Sequence, residues 1–189
     1  DVYIPLTMLS FALEYHSFHG APLASHLNNV FLHLGVVFLV YCLALRAGVP
    51  ERAAGMAAFI FGIHPLHVEA VAWISARKDV LSTFLYLLAL LQYLTYIRTR
   101  KPAPYLLTLL FGLLSMLAKP MAASLPLVLF VCDGFFGRRL TRQCLLEKIP
   151  LVLMLFPLAW LTLSRHWGHA TDPLSVPILT WVWTFMFYI

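Results

Sequence analysis

The sequence predicts an all-α protein that spans a membrane as a polytopic bundle of helices. Of its 189 residues, 61% are hydrophobic and 11% are charged, whereas a soluble domain carries about 25% charged residues. The mean hydropathy is +0.84. The apolar residues form long runs without the alternation of a barrel strand, and in lipid only helices and closed barrels satisfy the backbone polar groups. We therefore expect a bundle of about six to seven transmembrane helices.

The apolar runs define the expected elements in chain order. Residues 1–23 read as the end of an external loop with one short amphipathic helix near Leu6–Tyr15, and residues 24–189 as a transmembrane helical domain cut at both ends. The expected spans are Ser25–Leu45, a run from Ala53 to His64, Val80–Ile97, Tyr105–Leu117, Met121–Phe136 and Ile149–Ser164. Several are shorter than the bilayer requires, so they extend into their flanks or stop at a cavity.

The basic residues predict the orientation of these spans. If the loop between the first two spans is cytoplasmic, strict alternation gathers most of the 13 lysines and arginines on that side, as the positive-inside rule requires. They are Arg46, Arg52, Arg98, Arg100, Lys101, Arg138, Arg139, Arg142 and Lys148. Basic clusters between apolar runs are typical of membrane loops and argue against nucleic acid as a partner. The opposite face receives most of the histidines, and ionisable groups near membrane depth usually mark a functional cavity.

The segment from His64 to Asp79 carries the strongest constellation of polar residues. Two adjacent cations, Arg77 and Lys78, could hold a phosphate, and His67 or Glu69 could move a proton. The alternative is an interfacial loop with snorkelling cations. A divalent metal held by His64, His67 and Glu69 is a further alternative, although the spacing is not that of a common zinc motif.

A second group lies on the first expected span. The spacing of His26, Asn29 and His33 puts the three side chains on one face of a helix, which must look into the bundle rather than into lipid. They contact a ligand, or they form hydrogen bonds between helices.

The remaining ionisable residues divide between the two faces. Lys119, at the external end of the fourth expected span, either snorkels to the surface or faces the same cavity as Arg77. Asp133 is expected to pair with the Arg138–Arg139 cluster, and Glu147 and Lys148 are expected to have a similar structural role. Two carboxylates of the first loop, Asp1 and Glu14, could each act as a base.

Several strings in the sequence resemble one family. They are PLT with LSF from Pro5, HLNN from His26, HPLHVEAVAWISARKDVLS from His64 to Ser82, LAKPMAASLPLVL from Leu117 and LLEKIP from Leu145. They resemble bacterial polytopic membrane proteins with C-terminal tetratricopeptide repeats, which are similar to the eukaryotic transmembrane and tetratricopeptide-repeat O-mannosyltransferases of the GT-C glycosyltransferase superfamily. The string Ala-Arg-Lys-Asp at 76–79, where eukaryotic members usually have a Gly-Arg-Ala-Asp-like version, favours a bacterial member.

The resemblance implies a GT-C-like fold and a function at the non-cytoplasmic face of the bacterial inner membrane. The protein would transfer a mannose-like sugar from a polyprenyl-phosphate donor to an acceptor protein or glycan, with membrane lipid around it. The first helix and the repeat domain would lie outside this chain. The residues expected in the site are Asp1, His67 and Glu69 for catalysis, Arg77, Lys78 and Lys119 for the donor phosphate, and His26, Asn29, His33, His64 and Asp79 along the cavity.

Two other functions stay open. The chain could be part of a non-catalytic membrane anchor that presents tetratricopeptide repeats for protein assembly. A transporter is disfavoured, because the sequence shows no inverted repeat or paired broken helices.

Overall fold

The computed structural model describes residues 4–138 and 141–167, and in this part of the chain every regular element is helical. The predicted all-α class is therefore confirmed. Asp1 and the loop predicted after residue 167 lie outside the described residues. The α-helices are α1 (Pro5–Phe18), α2 (Pro22–Arg46), α3 (Glu51–Ile63), α4 (Val68–Ala72), α5 (Arg77–Thr99), α6 (Pro102–Ala118), α7 (Leu125–Phe135), α8 (Arg142–Leu146) and α9 (Ile149–Trp167), with short 3₁₀ turns at Pro65–His67, Ile74–Ala76 and Pro120–Ser124.

Within the described ranges 4–138 and 141–167, two helices are long and apolar enough to cross a membrane. They are α2, with 25 residues, and α5 with its preceding turn, with 26 residues. A third span is possible if α3 and the helical segment Pro65–Ala72 count as one span bent by 51°. Within the described residues, α6 and the segment Pro120–Phe135 are shorter apolar helices. The predicted count of six to seven spans is thus not confirmed.

Two proline residues break the helices near the predicted site. His64 and Lys119 each precede a proline and adopt extended backbone angles, with ψ of 129° and 126°. A proline disfavours the helical conformation of the residue before it, and it begins the next helical turn without needing its missing N–H. The chain therefore ends α3 and α6 at these points and exposes a polar residue at each break.

The bundle is packed around α5, which lies against α2 on one side and α6 on the other. Its buried residues Ala89, Leu90 and Tyr93 form one core with Met116 of α6 and Leu125 of α7. The outward faces of the helices carry large exposed apolar side chains. Those on α2, α3 and α7 include Phe31, Phe38, Phe59, Leu127 and Val131, all exposed by 62% or more. Large exposed apolar side chains in this number are suited to lipid rather than to water.

Helix α1 occupies the place where the sequence predicts a short amphipathic helix, but its polar face turns inward. Thr7 and Glu14 are buried, whereas Met8 and Leu13 are exposed by 61% and 62%. The Thr7 hydroxyl donates a hydrogen bond of 3.0 Å to the carbonyl of Ala118, at the end of α6. Polar contacts therefore dock α1 on the bundle, and its apolar side faces outward.

Candidate functional site

A buried ion pair joins α1 to the start of α5. The Arg77 guanidinium lies 2.7 Å from a carboxylate oxygen of Glu14, and the two side chains are 2% and 6% exposed. Arg77 also donates to the Asn29 side-chain oxygen at 3.1 Å and to the Ser25 carbonyl at 3.3 Å. Its guanidinium lies 4.2 Å from the centre of the Phe11 ring. Protein groups thus enclose the side chain that the sequence assigns to a donor phosphate.

The Glu14 carboxylate is the centre of this network. Besides Arg77, it accepts hydrogen bonds from the Ser25 hydroxyl and the Asn28 amide of α2. Burial by itself raises the pKa of the Glu14 carboxyl, but these hydrogen bonds and the guanidinium charge outweigh it, so that its pKa lies below the usual value. Glu14 is therefore ionised at neutral pH and balances the buried charge of Arg77.

Asn29 connects this network to the irregular segment before α5. Its side-chain nitrogen donates to the Trp73 carbonyl at 3.0 Å and to the Val71 carbonyl at 3.4 Å. Asn29 is fully buried. The sequence left two roles open for its side chain, contact with a ligand or hydrogen bonding within the bundle, and the structure shows hydrogen bonds between elements. The backbone between α4 and α5 is thereby held against α2.

The histidines of the same stripe line a cleft between α2 and the α3–α4 break. The cleft has a volume of about 400 Å³ and is lined by His26, His33, His64 and His67 together with apolar residues. The rings of His33 and His64 lie 5.7 and 5.9 Å from that of His67, between ring centres. His33 also contacts the Gly62 carbonyl through Nε2 at 3.0 Å. Four residues expected along the cavity or at the catalytic centre are thus brought together.

A second cleft lies between the start of α5 and the α6 break. Asp79 and Lys119 form an ion pair there, and their side chains are 32% and 30% exposed. The pair faces a cleft of about 270 Å³, which is also lined by Ser82, Thr83 and Tyr86. Lys119 therefore does face a cavity, with a carboxylate beside it, but Arg77 does not line this cleft.

The last two predicted residues stand apart from these groups. Glu69 on α4 is exposed and Lys78 on α5 is partly exposed, and among the described residues neither forms a side-chain hydrogen bond or ion pair. In the same part of the chain, no three His, Cys, Asp or Glu side chains are placed to hold a metal ion. The divalent metal stays a prediction.

The role of Glu14 as the partner of Arg77 is the main feature that the sequence does not reveal. The sequence names Glu14 as a possible base, and its position on α1, three residues after Phe11, gives no sign of a partner 63 residues away. A usable signal is the polarity of α1, because Thr7 and Glu14 share a helical face seven residues apart. A polar stripe on an otherwise apolar helix indicates a polar partner in the bundle.

These features define a helical membrane protein with a polar, histidine-lined cleft at one end of its bundle. Within that class the chain is similar to the protein O-mannosyl-transferases. It is 38% identical to Tmtc1 of Drosophila melanogaster over 130 residues, which are 68% of this chain and 15% of that protein. It is 34% identical to TMTC2 of Mus musculus over 172 residues, 88% of this chain and 20% of that protein. Over 93 residues, 48% of this chain, it is 38% identical to mouse TMTC3, of which it covers 10%.

The chain therefore spans between 10% and 20% of the length of these relatives. No protein-family model matches it, and no solved structure matches it significantly. The predicted likeness to the eukaryotic O-mannosyltransferases is confirmed. Origin in a bacterium stays a prediction, since the relatives named here are animal proteins.

Proposed function

We propose that this chain is part of a membrane glycosyltransferase that transfers a mannose-like sugar from a polyprenyl-phosphate donor to hydroxyl groups of an acceptor protein. The observation that supports it most is the identity of 38% over 130 residues with a protein named as a protein O-mannosyl-transferase. The lipid donor and the external face follow from the GT-C resemblance of the sequence. The proposal extends to the whole protein, of which this chain is a part.

The histidine cleft is the proposed place of the sugar and the acceptor hydroxyl. Its volume of about 400 Å³ falls within the range of about 300–1,000 Å³ that is typical of small-molecule sites. Imidazole groups supply donors and acceptors for sugar hydroxyls at neutral pH. Apolar residues, Val30 and Val68 among them, complete the lining of the cleft.

The proposed phosphate contacts are Lys119 and Lys78. Lys119 is partly exposed beside a cleft, and Lys78 is partly exposed without a side-chain partner among the described residues. Arg77 is enclosed by Glu14, Asn29 and Phe11, so a phosphate reaches it only if α1 moves away. In the arrangement described here, Arg77 holds α1 in place.

The transfer itself breaks the bond between the sugar C1 and the donor phosphate oxygen and forms a bond between C1 and the acceptor oxygen. The phosphate leaves with the bonding electrons, and lysine charges stabilise it. The acceptor proton passes to a base, for which the described residues offer His67 in the cleft and Glu69 near it in the chain. Asp1 is the third candidate base.

The test is donor turnover by the full-length protein with polyprenyl-phosphate mannose and an acceptor peptide. His67→Ala and Lys119→Ala should each lower turnover by about a hundredfold or more. Lys101→Ala, an exposed cation at the start of α6, is the matched control and should retain wild-type activity. All variants are compared at equal folded amounts, measured by size exclusion in detergent. The proposal fails if the wild type consumes no donor or if both site variants match it.

The second candidate function is a non-catalytic anchor that presents tetratricopeptide repeats for protein assembly. The enclosure of Arg77, at 2% exposure, favours it, because a closed cation does not need a ligand. An anchor predicts no donor turnover and unchanged partner binding in the His67→Ala variant.

A further inference from the structure

A third cleft lies at the basic end of the bundle, opposite the histidine cleft. It has a volume of about 520 Å³ and is lined by Tyr96, Arg100, Arg138, Thr141 and Gln143. All five of these side chains carry hydrogen-bonding groups. Helix α5 extends for 23 residues, or about 35 Å, so this cleft is separated from the proposed transferase site by the length of a membrane span.

Arg100 has a backbone conformation that few arginines adopt. It follows the last residue of α5 with φ of 55° and ψ of 20°, in the left-handed region, and its N–H donates to the Tyr96 carbonyl. Glycine is the usual residue at such a helix end, since it takes this conformation without strain. The backbone does not explain an arginine at this position, and its side chain reaches the cleft.

Arg138 is the fixed cation of the same cleft. Its side chain is 8% exposed, and it donates to Glu147 at 2.8 Å and to Asp133 at 3.3 Å. Arg100 lies 3.9 Å from Glu147 and is 49% exposed. Since Asp133 is also paired with the buried Lys148, two guanidinium groups share one carboxylate, and the cleft retains positive charge. Arg142 lies between the lining residues Thr141 and Gln143 in the sequence.

The surroundings of the cleft are those of a membrane boundary. The candidate span formed by α5 ends at Thr99, directly before Arg100. On the other side, α8 contains the lining residue Gln143 and exposes Leu145 and Leu146 by 50% and 62%. A site at the end of a span, with cations inside and apolar side chains at its edge, suits a molecule that has both a phosphate and acyl chains.

We propose that this cleft binds the phosphate headgroup of an anionic phospholipid. Arg138 presents a guanidinium already held in place by carboxylates, and the half-exposed side chain of Arg100 closes over the phosphate. Thr141 and Gln143 supply neutral donors, and the acyl chains lie along the exposed leucines of α8. The site is independent of the proposed transferase activity, because it lies at the other end of α5.

The test uses the full-length protein in a neutral detergent. Binding of phosphatidylglycerol is measured by native mass spectrometry, with phosphatidylcholine and inorganic phosphate as comparison ligands. Wild type should bind phosphatidylglycerol in preference to phosphatidylcholine. Arg100→Gly should weaken this binding by about tenfold, while the left-handed position tolerates glycine and the fold stays intact. Arg52→Ala, an exposed cation on α3 that does not line the cleft, should bind as wild type does.

Each of the following results overturns the proposal. One is equal binding of the two lipids by the wild type. Another is unchanged phosphatidylglycerol binding by Arg100→Gly, or an equal loss in Arg52→Ala, which shows that diffuse surface charge attracts the lipid. The third is displacement of the lipid by millimolar inorganic phosphate, which shows that the cleft binds free phosphate instead.

Discussion

Arg77 and Glu14 form an ion pair of 2.7 Å between residues 63 positions apart in the sequence. Both side chains are almost fully enclosed. The pair joins helix α1 to the N-terminus of α5, next to the two clefts of the proposed site. It therefore couples the position of α1 to the part of the molecule in which we place the chemistry.

Loss of one partner of this pair should be more damaging than loss of both. Glu14→Leu or Arg77→Met should lower the free energy of unfolding by about 3–5 kcal/mol, because each leaves a buried charge without its partner. The double variant Glu14→Leu/Arg77→Met should recover a large part of this loss. Thermal unfolding in detergent measures the effect. Lys78→Ala is the control beside Arg77 and should change stability little. Additive losses in the double variant would contradict the coupling.

Acidification should release α1. Because the folded-state pKa of Glu14 is lowered, its contribution to stability is fully present above the unfolded carboxyl pKa of about 4.3. It is lost as the pH falls through the lowered folded-state pKa. Hydrogen exchange of the α1 amides, followed between neutral and strongly acidic pH, should show loss of protection below that range.

The matched control for this pH effect is Glu14→Gln, which cannot ionise. Its α1 exchange should vary much less with pH, after correction for the intrinsic exchange rate. Protection of wild-type α1 that stays constant down to the lowest pH would contradict the assignment of Glu14 as the group that docks the helix.

Alanine substitution at two helical glycines should change the stability of the protein in opposite directions. A Cβ atom at Gly35 on α2 would lie 2.7 Å from the Phe84 ring on α5, whereas at Gly55 on α3 it would meet nothing within 4 Å. Gly35→Ala should therefore destabilise the protein by about 1–3 kcal/mol, because the Phe84 ring must shift to make room for the added methyl group. Gly55→Ala should stabilise it by up to about 1 kcal/mol through helix propensity. Thermal unfolding of the two variants side by side tests the α2–α5 contact, and equal effects would contradict it.

The buried ion pair of Lys148 with Asp133 should protect the Cys144 thiol from chemical labelling. Cys144 and Asp133 are fully buried, and Cys144 donates to Asp133 at 3.0 Å while Lys148 pairs with the same carboxylate. Lys148→Met should cost about 3–5 kcal/mol and raise the rate of maleimide labelling at Cys144 by at least about tenfold, through local opening.

The labelling measurement is made with Cys42 and Cys132 replaced by alanine, because both are only partly buried. Asp133→Leu/Lys148→Met removes both charges and serves as the control, in which labelling should return toward the slow wild-type rate. Equally fast labelling in the wild type would show that this end of the bundle is open.

The parts of the fold that the sequence predicts are those with local causes. The helix breaks after His64 and Lys119 follow from the proline after each residue. The predicted pairing of Asp133 with Arg138 is confirmed. The two residues are only five positions apart in the chain, so they lie near each other whatever the packing of the other helices. The cleft of His26, His33, His64 and His67 is anticipated in part, since the spacing on α2 and the polar break already place these residues at one end of the bundle.

The partners of the site residues depend on which helices lie side by side. Arg77 forms an ion pair with Glu14, and Asn29 donates hydrogen bonds to backbone carbonyls. Neither choice follows from residue types, because a buried cation needs a counter-charge that any nearby carboxylate could supply.

The sequence by itself determined that this is an apolar, helical protein, where its helices break, and which end of the bundle is polar. Composition and neighbouring residues carry those properties, since each depends on the solvent of the chain or on backbone sterics within a few residues. The tertiary structure alone decided that Glu14 closes over Arg77, that Asp79 pairs with Lys119 across 40 positions, and that the left-handed Arg100 shares a cleft with Arg138. The reason is that an unpaired buried charge is costly, so each buried charge requires a partner. Only the packing of distant helices determines which partner lies within reach.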